Sequence, residues 1–403
     1  MCAAAAPVDL SSPESFQRGF PHEFLAWLRA NAPVWWHEPT RATPDGEGFW
    51  VVSRHADVVA VMKDPETFAS GPAGGRPHGG TAIGDMKNSE TMINGSDGAR
   101  HRALRGIVNK GFTPRAIEAL EPEIRARSVA LFEGCPAAAA FDFVERFARE
   151  LPLQMICSVL GVPQRDRVEL GDWMDQGIAA PSRAIIAPEF LHKLRDYAVR
   201  LIEAKRARPA DDILSVIVHA EVDGARLADR ELLGFFELLF PAGAETTRSA
   251  IAGALLAFAE RPDQYELLRR SPALVDSAVE EIVRWTTPSV YKRRTATRRC
   301  EIADQQIEPG QKVTVWEMSA NRDERAFERP FDFDVRRSPN KHVGFGVGVH
   351  FCLGATLARL ELRVFLEEIA KRYRGFEIVD LEWMPNARLF GLRRLVVRTA
   401  AAN

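Results

Sequence analysis

Between about residues 229 and 260 the chain carries an unbroken helical pattern, which at 1.5 Å per residue spans ~48 Å, enough to cross a whole domain. The stretch is apolar nearly all round, with Leu232, Phe235, Leu239 and Phe240 in its first half and Ile251, Leu255 and Phe258 in its second. A helix without a polar face has to be central and buried, so the rest of the chain must be wrapped around it. Its middle departs from the pattern. Pro241 removes a helix hydrogen bond and is expected to kink the helix, and Gly243 weakens the same turn. Glu245, Thr246 and Thr247 follow at once, and a buried helix does not keep a carboxylate there unless a site uses it.

The second constraint lies a hundred residues further on. Phe345-Gly346-Val347-Gly348-Val349-His350-Phe351-Cys352-Leu353-Gly354 places one cysteine in a glycine-rich turn just before a helical run that begins at Ala355. Backbone N–H groups and the positive end of a helix stabilise a thiolate, which is what a sulfur metal ligand must be. Gly346, Gly348 and Gly354 would permit positive φ and a close backbone approach to a flat cofactor.

From 114 to 260 the pattern is almost wholly helical, over 114–133, 143–160, 164–178, 188–207, 211–220 and 229–260. Strand-like pieces sit on either side of that block. Residues 34–37 and 48–52 flank the turn signal Thr43-Pro44-Asp45-Gly46 and read as a hairpin, and 293–297, 300–302 and 312–316 follow the helices. Asp57 is placed to cap a helix carrying Val58, Val61 and Met62, and 389–391 with 395–397 suggests a closing hairpin. No repeat or linker composition divides the chain. The expectation is a single domain over 1–403, mainly α, with a β-rich lobe from about 30–70 and 290–320 plus the C-terminal hairpin. The Gly- and Pro-rich stretch 71–94 is either a surface loop or a lid over a substrate.

Charge and cysteine content exclude several classes. A formal net charge of -2 gives no basic field for nucleic acid or an anionic membrane. Cys2, Cys135, Cys157, Cys300 and Cys352 are scattered, odd in number and without C-x-x-C pairing, against a disulfide framework or structural zinc. The segment Met1-Cys2-Ala3-Ala4-Ala5-Ala6-Pro7 has neither a basic nor an apolar leader region, and no apolar run reaches the ~20 residues of a spanning helix. A soluble, cytoplasmic protein is expected.

The decapeptide around Cys352, with Ala358 following, resembles the haem-binding signature of the cytochrome P450 family, whose axial thiolate favours O–O cleavage over reversible O2 binding. The resemblance runs from about Phe20 to Arg398. It implies the cytochrome P450 fold, with haem b between the long helix and the cysteine loop and Cys352 as the iron ligand. Ala242-Gly243-x-Glu245-Thr246 is similar to the family's oxygen-activating segment, which implies that Glu245 and Thr246 relay protons. His101, Arg105, Arg294 and His350 match positions that hold the haem propionates, and Phe345, Gly346, Gly354, Ala242 and Gly243 match others along the cofactor. Arg293 lies beside Arg294, and strand alternation sends the two opposite ways. Glu281 and Arg284 match a structural pair that joins an arginine of the turn-rich segment, such as Arg336. That spacing also occurs at Glu38/Arg41, Glu203/Arg206, Glu245/Arg248 and Glu266/Arg269, so the following Trp285-Thr286-Thr287-Pro288 selects the copy.

Met92-Ile93-Asn94, Gly111-Phe112-Thr113-Pro114-Arg115 and Ser319-Ala320-Asn321-Arg322-Asp323-Glu324 are similar to actinobacterial members that hydroxylate methyl-branched lipids, isoprenoids or sterol side chains. The resemblance therefore implies insertion of one oxygen atom of O2 into an unactivated C–H bond of an apolar small molecule. The 71–94 loop, Phe240, Ala242, Val290 and Phe390 would line its pocket. With no flavin or Fe–S motif in the chain, electrons would come from a separate ferredoxin and ferredoxin reductase. Other readings are a macrolide- or polyketide-tailoring hydroxylase, a peroxygenase using H2O2, for which the Glu245-Thr246 pair would be superfluous, and a non-catalytic haem sensor.

Overall fold

The computed structural model describes residues 8–136, 139–179 and 188–401. The segment Met1–Pro7, with Cys2, lies outside them. The long helix is present as Asp229–Glu260, assigned without interruption through Pro241. Its first turn is held by Glu231, whose carboxylate accepts from Ala228 N–H at 2.9 Å. Nineteen of its residues are buried, and the helices around it form one continuous apolar core with Leu151, Ile156, Leu170, Leu194 and Phe365. Burial of that kind, at about 25 cal/mol per Å2 of apolar surface, is what fixes the helix at the centre.

The other helical stretches fall where periodicity puts them, with breaks at proline and at a π turn. The 114–133 stretch divides into Pro114–Glu118 and Glu121–Glu133, because Pro122 has no N–H and its ring opposes the carbonyl four residues before it. Thr113 caps the first piece, its Oγ1 accepting from Ala116 N–H at 3.3 Å. The 143–160 stretch opens with a π turn, Val144–Ala148, before Glu150–Leu160.

A five-stranded sheet forms the second lobe, in the order Val34–His37, Phe49–Val52, Lys312–Trp316, Tyr291–Ala296, Phe68–Ala69. The hairpin register sets Val34 opposite Val52, and Tyr291 pairs antiparallel with Trp316. One face buries Phe49, Val51, Tyr291 and Trp316 against Phe16, Phe20 and Phe24 of the N-terminal segment. The closing hairpin differs from expectation. Tyr373–Trp383 pairs with Leu392–Ala401, residues 389–391 lie in the connection, and Phe141–Asp142 adds a third strand. This separate sheet packs Leu392, Leu395 and Val397 into the helical core rather than joining the five-stranded one.

Asp57 does not cap its helix. The helix is His55–Lys63, and its first N–H, on His55, donates to Asp323 Oδ2 at 2.8 Å, so a residue 268 positions away supplies the cap. Among the described residues, no helix is long and apolar enough to cross a membrane.

Candidate active site

The cysteine loop closes on itself through Cys352 N–H to the Phe345 carbonyl at 2.9 Å and Gly346 N–H to the Val343 carbonyl at 2.7 Å. Gly346 and Gly348 take φ of 70° and 76°, which costs glycine nothing. A Cβ on Gly348 would stand 2.6 Å from the Met62 carbonyl oxygen, so that glycine lets the loop press on the helix His55–Lys63 instead of admitting a cofactor. Gly354 does not have positive φ. Its φ is -83°, and a Cβ there would meet nothing within 4 Å. Phe345 is half-buried against the helical core, with the Arg359 guanidinium 4.5 Å above its ring.

Burial pushes the Cys352 thiol above its ordinary value, outweighing the Gly354 N–H that hydrogen-bonds the sulfur and the cations Lys292 and Arg105. Yet Cys352 is exposed. A side chain that is both encased by protein and accessible lines an interior cavity. The central helix has a wall of the same kind. Ala242 is exposed and Leu238 and Thr246 are half-buried, one residue in four, while Ala244, Glu245 and Thr247 between them are 4% exposed or less. Gly243 belongs to the opposite side and not to that cavity wall: its missing Cβ would lie 2.6 Å from Ile156 Cδ1, where the helix Glu150–Leu160 crosses.

Glu245 and Thr246 therefore sit at the boundary between cavity and core. Thr246 Oγ1 donates to the Ala242 carbonyl at 2.9 Å, which leaves its lone pairs toward the open side. Glu245 is 2% exposed and lies 3.5 Å from Arg248 Nη1, with Oε2 otherwise unpartnered. Burial pushes its carboxyl above the ordinary range, against the pull of Arg248. Arg248 also bonds Asp175 of the helix Arg167–Ala179, which is partly exposed.

A second cluster gathers at the edge of the sheet. The His101 and His350 rings are 4.2 Å apart. His101 Nε2 is buried without a partner, and burial, then the neighbouring His350 and Arg105, pulls its pKa down to about 4. His350 Nε2 lies 3.2 Å from Ser70 Oγ and 3.4 Å from Asp97 Oδ1. Alternation along Tyr291–Ala296 separates the two arginines. Arg293 reaches Asp85 at 2.7 Å and Thr295 at 3.0 Å. Arg294, 3% exposed, donates to the Arg293 carbonyl at 2.8 Å and keeps the rest of its fork unused. Arg105 is half-buried, with Nε on Asn109 Oδ1 at 3.2 Å.

An accessible encased sulfur, an orphaned imidazole nitrogen and a buried guanidinium with idle donors are what a planar iron cofactor with two carboxylates requires. Haem fits these residues. Cys352 would supply a thiolate ligand to the iron, and His101, Arg105, Arg294 and His350 the carboxylate partners.

Three expected pocket residues pack among core side chains. Phe240 is fully buried and stacks on Phe236 at 5.6 Å within the helical core. Val290 is fully buried and Phe390 9% exposed, and both join the aromatic cluster of the N-terminal lobe, where Phe390 stacks on Trp383 at 4.8 Å. Phe240 and Val290 show no accessible surface, and Phe390 shows little.

Glu281 and Arg284 are fully buried, with both carboxylate oxygens 2.7 Å from the guanidinium, which also donates to the carbonyls of Asn321, Pro330 and Asp332. The arginine that joins them is Arg337, with Nε 3.1 Å from Glu281 Oε2. Arg336 is turned outward onto Asp334. Sequence reasoning also passed over a buried pair beside the cysteine, Lys292 Nζ to Glu317 Oε2 at 2.8 Å. The available signal was Lys292, which shares a strand face with Arg294.

The sequence model described as Cytochrome P450 matches residues 269–380. Over 98% of its length the chain is 48% identical to a Mycobacterium tuberculosis protein described as "Putative cytochrome P450 126", with 98% of that protein covered. It is 38% identical to a Steroid C26-monooxygenase of Mycobacterium bovis (90% of this chain, 85% of the relative) and 39% identical to a Methyl-branched lipid omega-hydroxylase of the same organism (86% and 83%). The structure of a Mycobacterium marinum cytochrome P450 in complex with pseudoionone superposes with a TM-score of 0.89 at 34% identity, covering 98% of this chain and 100% of that one.

Proposed function

This chain is a member of the cytochrome P450 family and a haem monooxygenase, and from that premise we propose that it hydroxylates an unactivated C–H bond of an apolar small molecule. Terpenoids, methyl-branched lipids and sterol side chains are the candidate classes. The single observation that carries the site assignment is the Cys352 sulfur, encased in protein yet open to an interior cavity. Haem b, when bound, supplies the redox chemistry by which O2 is cleaved.

The chain's residues do the rest. Cys352 holds the iron. Arg294, Arg105, His101 and His350 would receive the cofactor's two carboxylates. Ala242 and Thr246 form the accessible face of the central helix. Thr246 hands protons inward from its hydroxyl, and Glu245, its carboxyl raised above the ordinary range by burial, supplies them from the side of Arg248 and Asp175. The acid–alcohol pair favours O2 over H2O2 as oxidant, since a peroxide-driven reaction needs no proton delivery of this kind. Electrons come from redox partners, which we assign to a separate ferredoxin and its reductase because the chain holds no flavin or Fe–S motif. The relatives named for steroid and methyl-branched lipid oxidation support the substrate class at 38–39% identity.

The assignment is tested by the carbon monoxide spectrum of the reduced, haem-loaded protein. The red-shifted Soret maximum diagnostic of thiolate ligation is expected, and Cys352→His should abolish it. Terpenoids, branched fatty acids and sterols should then be screened for a shift of the ferric Soret band, and hits turned over with a ferredoxin system. Failure of every apolar class to shift the band would overturn the reading.

A further inference from the structure

The interior beside the sheet holds one more cation than its acids answer. Lys292 and Arg294 point to the same face of their strand. Lys292 is matched by Glu317 at 2.8 Å, with Ser289 Oγ at 2.6 Å, and Arg294 is the guanidinium fitted to a haem carboxylate. Arg388 has no such partner. It lies in the connection between the two C-terminal strands and is fastened to the strand segment by Val290 N–H to its own carbonyl and Phe390 N–H to the Pro288 carbonyl, both 2.9 Å. Arg388 is half-buried, and burial holds it below its ordinary pKa against the pull of Tyr291 and Glu317; among the described residues no carboxylate forms an ion pair with it.

Its neighbour sharpens the point. Arg388 Nη2 donates to Thr81 Oγ1 at 2.7 Å, and Asn94 Nδ2 donates to the same oxygen at 3.4 Å. A hydroxyl that accepts two hydrogen bonds still has its own proton to give. Thr81 O–H and the remaining Arg388 N–H groups are thus donors in want of an acceptor, where the 71–94 loop meets the C-terminal connection. Charges link the site to the cysteine. Lys292 and Glu317 are among the charges acting on Cys352, and Arg388 acts in turn on both of them.

We propose that Arg388 and Thr81 form a carboxylate-binding subsite of the substrate cavity, so that the substrate is an apolar molecule carrying a carboxylic acid. This rests on the hydroxylase reading above and narrows it. A planar monoanion suits one guanidinium fork and one hydroxyl. Held there, the acid end stays away from the oxidised carbon, and oxidation falls on the far, apolar part of the molecule.

The test is a Soret titration of the haem-loaded protein with matched ligands: a methyl-branched fatty acid, its methyl ester and its alcohol. Charge-assisted hydrogen bonds should make the acid bind at least ~10-fold tighter than either neutral analogue. Arg388→Gln should erase that preference while leaving the alcohol within about 2-fold, with haem content and the carbon monoxide spectrum unchanged. Thr81→Val, which keeps the guanidinium, should lower the preference by about 3-fold. Acid and ester binding alike in the wild type would sink the subsite and leave the hydroxylase reading standing. So would an Arg388→Gln protein that binds haem more weakly but whose haem-loaded fraction keeps the acid preference, since the guanidinium would then serve a haem carboxylate. Absence of any shift with all three ligands, together with the terpenoids and sterols, would instead sink the underlying reading.

Discussion

Glu245 and Arg248 lie one turn apart on the central helix, both buried, with Oε2 of the acid 3.5 Å from Nη1 of the guanidinium. The guanidinium also holds Asp175, whose side chain is 36% exposed, and Arg149 binds that aspartate at 2.7 Å. Acid, guanidinium and acid thus run from the buried turn to the surface. Such an arrangement can pass a proton inward only if Glu245 can be both protonated and ionised, and burial opposed by Arg248 sets that balance.

Removing the alcohol separates proton delivery from cofactor binding. Thr246→Ala should bind haem and ligand normally while diverting reducing equivalents to hydrogen peroxide, so that product formed per NADPH falls. Glu245→Gln should lower turnover by about 100-fold, the lower end of the range for a positioned acid. Unchanged product-per-NADPH coupling in Thr246→Ala would contradict the relay.

Asp175 gives a prediction with a sign. Its charge raises the pKa of Glu245, so Asp175→Asn should lower that pKa and reduce the protonated fraction at any given pH. The limb of the pH–rate profile in which activity falls with rising pH should therefore move to lower pH. A displacement the other way would show that Arg248, once freed from Asp175, does not turn to Glu245.

The buried network around Glu281 distinguishes two adjacent arginines. Glu281→Ala strands Arg284 in a fully buried setting and should cost about 3–5 kcal/mol, read as a lower urea midpoint. Arg337→Ala removes a direct partner of Glu281 and should also destabilise, whereas Arg336→Ala, on the exposed side, should stay within about 0.5 kcal/mol.

How much of this was legible in the sequence depends on the reach of each signal. The central helix, its neighbours and the first hairpin follow from local periodicity, and they stand at the expected residues. That Arg293 and Arg294 point opposite ways followed from strand alternation. Most of the departures are non-local. Asp57 has the right residue type in the right place for a cap, but Asp323 arrives from the far end of the chain. Phe240, Val290 and Phe390 are apolar and close in sequence to the site, yet hydrophobicity says only that a side chain is buried, not against what. Gly243 could have opened toward the cofactor or toward a crossing helix, and only the packing of Ile156 decides. Arg388 and Thr81 are 307 residues apart, and no pattern in either segment announces the other.

The distant cap predicts a pair of contrasting substitutions. Asp323→Ala removes the acceptor for His55 N–H and should cost about 1 kcal/mol. Asp57 has a buried oxygen without a partner, and burial raises its carboxyl above the ordinary range. Asp57→Asn should therefore be neutral or mildly stabilising near neutral pH, as measured by thermal melting.

Glu361, on the helix Ala355–Arg372, gives the clearest dependence of stability on pH. It is 1% exposed, its Oε2 has no partner, and burial alone pushes its carboxyl from 4.5 to about 8. An acid whose folded-state pKa is raised binds its proton in the native state after the unfolded chain has released it. Stability should then fall as pH rises from about 4.5, and level off above about 8, where both states are ionised. The slope can reach roughly 1.4 kcal/mol per pH unit in that window, less any relaxation that lets water reach the carboxylate. Glu361→Gln keeps the shape and removes the titration. Its melting temperature should match the wild type near pH 4.5 and exceed it by a margin that widens up to pH 8. A constant difference between the two proteins across that range would mean that Glu361 finds a partner when ionised, and that its isolation in the core is not what governs its charge.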